Sequence, residues 1–217
     1  MNEGSQEEGR REIALSPRRD PVQKRSRERL ERILNAAREL IAAGGSDGLR
    51  MGDVAEKAGV SIGSLYQYFP EKGAIIRALA QAYHAESRAC IEEGLSRVSD
   101  LEGLGRAFSE LVDTYYQIFL AEPVIRDIWS GMQADKALAS LELEASRANG
   151  VLLESLLLKL RPGKDAEGLK AAAFLVWQLG EATMRLAVSV GRAEGDAVVE
   201  AYKRMAVREL TGRTTWK

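Results

Sequence analysis

The chain has 217 residues, a hydrophobic fraction of 45%, and 31 Lys and Arg against 32 Asp and Glu, for a net charge of −1. That length and apolar content suit a packed core. No run approaches the roughly 18–20 uninterrupted apolar residues of a membrane helix, and the polar start MNEGSQEEGR carries no apolar leader.

One histidine, His84, and one cysteine, Cys90, make neither a zinc site nor an internal disulfide. The expectation is a reduced, cytoplasmic protein without metal. Cys90 reads as a small hydrophobe on a helix rather than a redox sensor, and His84 as a surface or pocket residue. The charge is unevenly spread. Between Arg10 and Leu79 there are 14 Lys and Arg against 9 Asp and Glu, whereas Ala80 to Lys217 carries 17 against 20. A basic first third joined to a slightly acidic remainder suits a phosphate-facing module attached to a neutral one. The plainer alternative is a solvated charged face.

Residues 1–22 are polar and aperiodic and read as a disordered basic arm with Arg10, Arg11, Arg18 and Arg19. Periodicity begins with Leu30, Ile33, Leu34, Ala37, Leu40 and Ile41, one stripe of an amphipathic helix that Gly44-Gly45 ends. Two short helices follow, near Met51 to Ala58 and Ser61 to Tyr68, with Pro70 closing the second. A longer helix starts near Glu71 and carries Ile75, Ile76, Leu79, Tyr83, Ile91 and Leu95, with a bend expected near Gly94. Leu104, Phe108, Leu111, Val112, Tyr115, Phe119 and Leu120 form the next stripe, and Val124 to Gln133 a shorter helix. Leu138, Leu141, Ala145, Ala148, Leu152, Ser155 and Leu156 form another, ended by Pro162-Gly163. Asp165 to Val190 is apolar enough to be buried on several sides. Gly191 and Gly195 flank a loop, and Asp196 caps a last helix that Gly212 stops. No segment alternates with period two, so the predicted class is all-α.

The informative run is DVAEKAGVSIGSLYQYFPEK, Asp53 to Lys72. Val54 and Ala55 face inward from a short helix, and Gly59 permits a tight turn that a side chain would hinder. Val60 plugs the angle, and Ser61 caps the second helix. Two helices joined at a steep angle by three or four residues with a Gly constitute a helix-turn-helix, whose second helix enters the major groove of duplex DNA. Gly63 and Ser64 are small enough to seat that helix deeply. Tyr66, Gln67 and Tyr68 offer hydroxyls and an amide to phosphates and base edges, and Lys72 reaches a phosphate. Arg18, Arg19, Lys24, Arg25 and Arg27 are further phosphate candidates. Leu65 and Phe69 belong to the core.

From Arg27 to Leu79 the sequence resembles the TetR family of bacterial transcriptional regulators. The shared spacings are the Val54-Ala55 pair, Ala58-Gly59-Val60-Ser61, Gly63-Ser64-Leu65-Tyr66, Tyr68-Phe69 and Lys72. Met51 stands where the family usually offers a Thr, and Gly73 where it often has an acid. The resemblance implies DNA contacts from Arg27, Ser61, Gly63, Ser64, Tyr66, Gln67, Tyr68 and Lys72. It also implies a homodimer through the last two long helices, a near-palindromic duplex operator, and a small organic effector held among the central helices. The domains expected are the arm (1–22), a three-helix helix-turn-helix domain (23–72) and a helical regulatory and dimerisation domain (73–217).

Tyr115, Tyr116, Phe119, Trp129, Met132, Phe174 and Trp177 are candidate pocket walls, with plain core packing as the alternative for each. A dependence on His84 alone leaves nucleophilic catalysis without a base pair to build from, and Gly103-Leu104-Gly105 lacks the rest of a dinucleotide loop. No enzyme, catalytic residue or cofactor is expected. A repressor is the primary expectation. The alternatives are a ligand-dependent activator and a helical interaction module whose helix-turn-helix is structural.

Overall fold

The computed structural model describes residues 21–131 and 135–212. The arginines of the N-terminal arm and Met132 lie outside the described residues. Within them the chain forms nine helices: α1 (Pro21–Gly44), α2 (Met51–Ala58), α3 (Ile62–Tyr68), α4 (Lys72–Ser96), α5 (Leu101–Ala121), α6 (Pro123–Gly131), α7 (Lys136–Leu160), α8 (Ala166–Ser189) and α9 (Arg192–Thr211). No strand occurs among the described residues, and the chain is all-α.

Local chemistry sets most of these boundaries. Pro21 opens α1 and Pro123 opens α6, each at the position where a missing N–H costs nothing. The side chains of Asp100, Asp135 and Asp165 accept first-turn backbone N–H groups of α5, α7 and α8. Gly212, in the left-handed region at φ 66°, ends α9.

Helices α1 to α3 share one core. Ile33, Ala37 and Ile41 of α1 pack with Val54, Ala55 and Ala58 of α2 and with Leu65, and all are buried. Behind this unit α4 packs on α5 and α7, α8 lies between α7 and α9, and α9 returns onto α5. The short helix α6 touches α1, α4, α5 and α8, and so reaches both parts of the molecule.

Three expectations give way to tertiary packing. Helix α9 begins at Arg192 behind Gly191, not at Asp196, whose carboxylate instead pairs with Arg192 at 2.8 Å. The cause is Gly195, which lies inside the helix. A Cβ there would press on the Ala187 carbonyl and stand 2.9 Å from the Tyr116 hydroxyl, so only glycine lets α9 approach the end of α8. In α7 the buried positions are Leu138, Glu142, Ser146, Asn149, Gly150, Leu153 and Leu157, a face one position round from Leu141, Ala145, Ala148 and Leu152, which lie half-buried at its edge. In α8 one face is uncovered: Leu175, Leu179 and Leu186 are 54%, 42% and 50% exposed.

Candidate DNA-reading face and regulatory cavity

The turn before α3 is closed by its own backbone. Gly59 sits at φ 64°, its N–H donates to the Glu56 carbonyl at 3.1 Å, and Val60 N–H donates to Ala55 at 3.0 Å. This pair of bonds is the Schellman ending of a helix. Ser61 then caps α3 by accepting the Ser64 N–H at 3.1 Å.

Helix α3 is anchored on one side and open on the other. Leu65 and Phe69 are buried in the three-helix core, while Ser61, Ile62, Gly63, Tyr66 and Gln67 face solvent, Tyr66 at 51%. A Cβ at Gly63 would meet nothing within 4 Å. The fold itself therefore makes no demand for glycine at that position, and the space it leaves belongs to whatever docks there.

Residues of α1 complete this face. Arg29, Arg32, Gly59, Ser61, Gly63, Ser64 and Gln67 line one open concavity, with the Arg29 guanidinium 3.5 Å from the Ser64 hydroxyl. Tyr68 is half-buried, and its hydroxyl shares a hydrogen bond with Ser26 at 3.0 Å, which steadies α3 against the start of α1. Arg27 is exposed. Arg29 and Arg32 escaped the sequence reading, although with Arg25 they recur at helical spacing on α1. Lys72 is occupied elsewhere. Its ammonium donates to the carbonyls of Asp47 at 2.9 Å and Ser46 at 3.5 Å, in the turn between α1 and α2.

The second feature is a narrow cleft, with about 50 Å³ accessible to water, walled by α4, α5, α7, α8 and Tyr202 of α9. Its lining is mostly apolar, with Ile91, Leu111, Ile118 and Met184 prominent. Of the aromatic candidates, Tyr115 and Trp177 line it directly. Phe119 and Trp129 are buried behind Tyr115, and Trp129 stacks edge-on against Tyr83 and Phe119. Tyr116 points to α9, under the Arg192 guanidinium at 5.5 Å, and Phe174 lies beneath Arg147 at 4.9 Å. Neither reaches the cleft.

Polar residues of the cleft carry its chemistry, and the sequence reading passed over them. Glu181 accepts the Tyr115 hydroxyl at 2.9 Å and the Trp129 indole N–H at 2.8 Å. Burial raises its carboxyl to about 7 from an ordinary 4.5, against the lowering effect of those two donors. Beside it, Arg185 pairs with Glu142 at 3.1 Å. Asn149 Oδ1 and the Trp177 indole nitrogen are buried without partners. His84, packed 5.1 Å from the Trp129 ring, is pushed by burial down to about 4 and is neutral.

The sequence matches two family models. Residues 33–79 match "Bacterial regulatory proteins, tetR family", and residues 102–214, more than half of the chain, match "Tetracyclin repressor-like, C-terminal domain". The HTH-type transcriptional repressor KstR of Rhodococcus jostii is 43% identical over 58 residues, 26% of this chain and 27% of that protein. Its counterpart in Mycolicibacterium smegmatis is 48% identical over 46 residues, 21% of this chain and 22% of that protein. The chain thus spans about a quarter of the length of these curated relatives. A crystal structure of a TetR-family transcriptional regulator from Streptomyces coelicolor superposes with a TM-score of 0.65 at 25% identity, covering 85% of this chain and 98% of the other.

Proposed function

The chain belongs to the TetR family of bacterial regulatory proteins, and on that premise we propose that it is a cytoplasmic, homodimeric transcriptional repressor, released from a near-palindromic duplex operator by a small organic effector. The observation that carries this reading is α3. One side is locked into the core by Leu65 and Phe69, and the other is open at a glycine that no packing requires. A helix held so firmly and presented so bare suits the major groove, which is about 12 Å wide and admits one helix.

On this reading Gly63 and Ser64 approach the base edges, and Tyr66 and Gln67 contact bases and phosphates. Ser61 and Tyr68 orient the helix. Arg27, joined by Arg29 and Arg32, neutralises phosphates along the α1 side, and Lys72 chiefly holds the turn behind the module. The domain division is residues 23–72 for DNA and 73–217 for control and dimerisation. The bare α8 leucines support a dimer through α8 and α9. The aromatic cleft, with Tyr115 and Trp177 on its wall and Phe119 and Trp129 behind it, is the effector site. The repressor names of the partial relatives support repression over activation.

Selection from a pool of randomised duplexes tests the proposal. Recovery of a near-palindrome bound by two chains is expected. Failure to enrich any sequence over the starting pool contradicts it.

A further inference from the structure

On the reading that the cleft is the effector site, we propose that the effector is an uncharged, mainly apolar compound that presents a hydroxyl group to Asn149 and Trp177. Asn149 Oδ1 and the Trp177 indole N–H are buried with no partner, and both residues line the cleft. A buried polar group left unpaired is costly, so a ligand that satisfies these two recovers that cost. One is an acceptor and the other a donor. A hydroxyl is the smallest group that both donates and accepts.

Charge decides the rest. No Lys, Arg or His is among the residues lining the cleft. The nearby Arg185 is already paired with Glu142 at 3.1 Å. A carboxylate or phosphate entering here would meet no counter-charge and would lie beside the Glu181 carboxyl, and a buried ion left unpaired is strongly disfavoured. An ammonium group fares little better. Glu181 is the one acidic group on the lining, and burial favours its uncharged form, so a cation would gain little from it. Ser87, Thr114 and Ser146 add neutral hydroxyls to the lining, and Ile91, Leu111, Ile118 and Met184 select for a mainly apolar body.

The test uses two matched sets of probes at neutral pH, measured by calorimetry on the full chain: β-naphthol, β-naphthoate, β-naphthylmethylammonium and naphthalene, then decanol and decanoate. Each alcohol is expected to bind at least about tenfold more tightly than the ions on the same skeleton. Trp177→Phe and Asn149→Leu should each weaken β-naphthol by about tenfold and leave naphthalene unchanged. The ligand class is overturned if an ion binds as well as its alcohol, or if neither alcohol binds by roughly 1 mM. It is equally overturned if the variants weaken naphthol and naphthalene alike. Repeating the titrations with the selected duplex present separates this inference from the reading beneath it. Alcohols that bind without changing duplex affinity leave the ligand class standing and remove effector control. A carboxylate that binds and releases the duplex does the opposite.

Discussion

Ser46 donates its backbone N–H to the Asp127 carboxylate at 2.9 Å, which joins α6 to the turn between α1 and α2. Lys72 grips the same turn from the other side through the carbonyls of Ser46 and Asp47. Two residues beyond Asp127, Trp129 donates to Glu181 on the wall of the cleft at 2.8 Å. A single short helix therefore has one polar tie to the DNA-binding unit and one to the cleft. A connected element of this kind can carry coupling between two sites.

Asp127→Ala should cut the first tie and spare the second. A hydrogen bond to a charged group contributes about 1.5–3 kcal/mol, so amide exchange at Ser46 should accelerate by roughly tenfold or more. Exchange around Glu181 should not change. Equal acceleration at both places would mean that α6 has simply unfolded.

Gly63 separates packing from reading. Its Cβ position is open, and alanine is favoured over glycine inside a helix by up to about 1 kcal/mol. Gly63→Ala should hold or raise the melting temperature, and Gly63→Leu should abolish binding to the selected duplex without unfolding the chain. Circular dichroism and a fluorescence-anisotropy titration on the same samples check both halves. A destabilised Gly63→Ala would show that the glycine serves the fold.

The cleft and its aromatic surround predict opposed pH dependences. Glu181 titrates near 7 in the folded chain against 4.5 when free. The folded state holds this proton more tightly, so the group's contribution to stability is complete below about 4.5 and declines as pH rises to about 7. His84 titrates near 4 against 6.5. Its contribution is complete above 6.5 and is lost as pH falls toward 4. The two slopes offset each other in the shared window between 4.5 and 6.5. Glu181→Gln should unmask a stability that rises with pH there, and His84→Gln one that falls. Melting temperatures across that window decide, and parallel profiles for the two variants would refute the assignment.

How much of this was legible beforehand depends on the range of the determinants. The Ala58-Gly59-Val60-Ser61 turn was readable because Gly59 and Ser61 act within three residues of themselves. The start of α9 was not, because Gly195 matters only through Ala187 and Tyr116, which other helices bring to it. Glu142, Ser146 and Asn149 look like solvated helix positions in sequence. They are buried because α7 turns that face toward α4 and α8. Tyr115 and Tyr116 are neighbours in sequence, yet adjacent residues on a helix diverge by about 100°, so only Tyr115 reaches the cleft.

The bare face of α8 makes its own prediction. A buried leucine contributes about 1.5–3 kcal/mol, and a symmetric interface counts each one twice. Leu179→Asp or Leu186→Asp should therefore yield monomers by sedimentation, with helicity retained and duplex affinity reduced by at least about tenfold. Dimers that survive both substitutions would place the interface elsewhere.

The most direct test of the DNA-reading face is the salt dependence of the full chain's binding to the selected duplex. Two heads, each presenting the α3 face with Arg27, Arg29 and Arg32, should neutralise several phosphates. Each phosphate contributes about 0.9 to the slope of log K against log salt. A slope of roughly −4 or steeper is expected, with two chains per duplex and protected half-sites about 34 Å apart. An affinity unchanged across a fourfold rise in salt, or one chain bound per site, would contradict it.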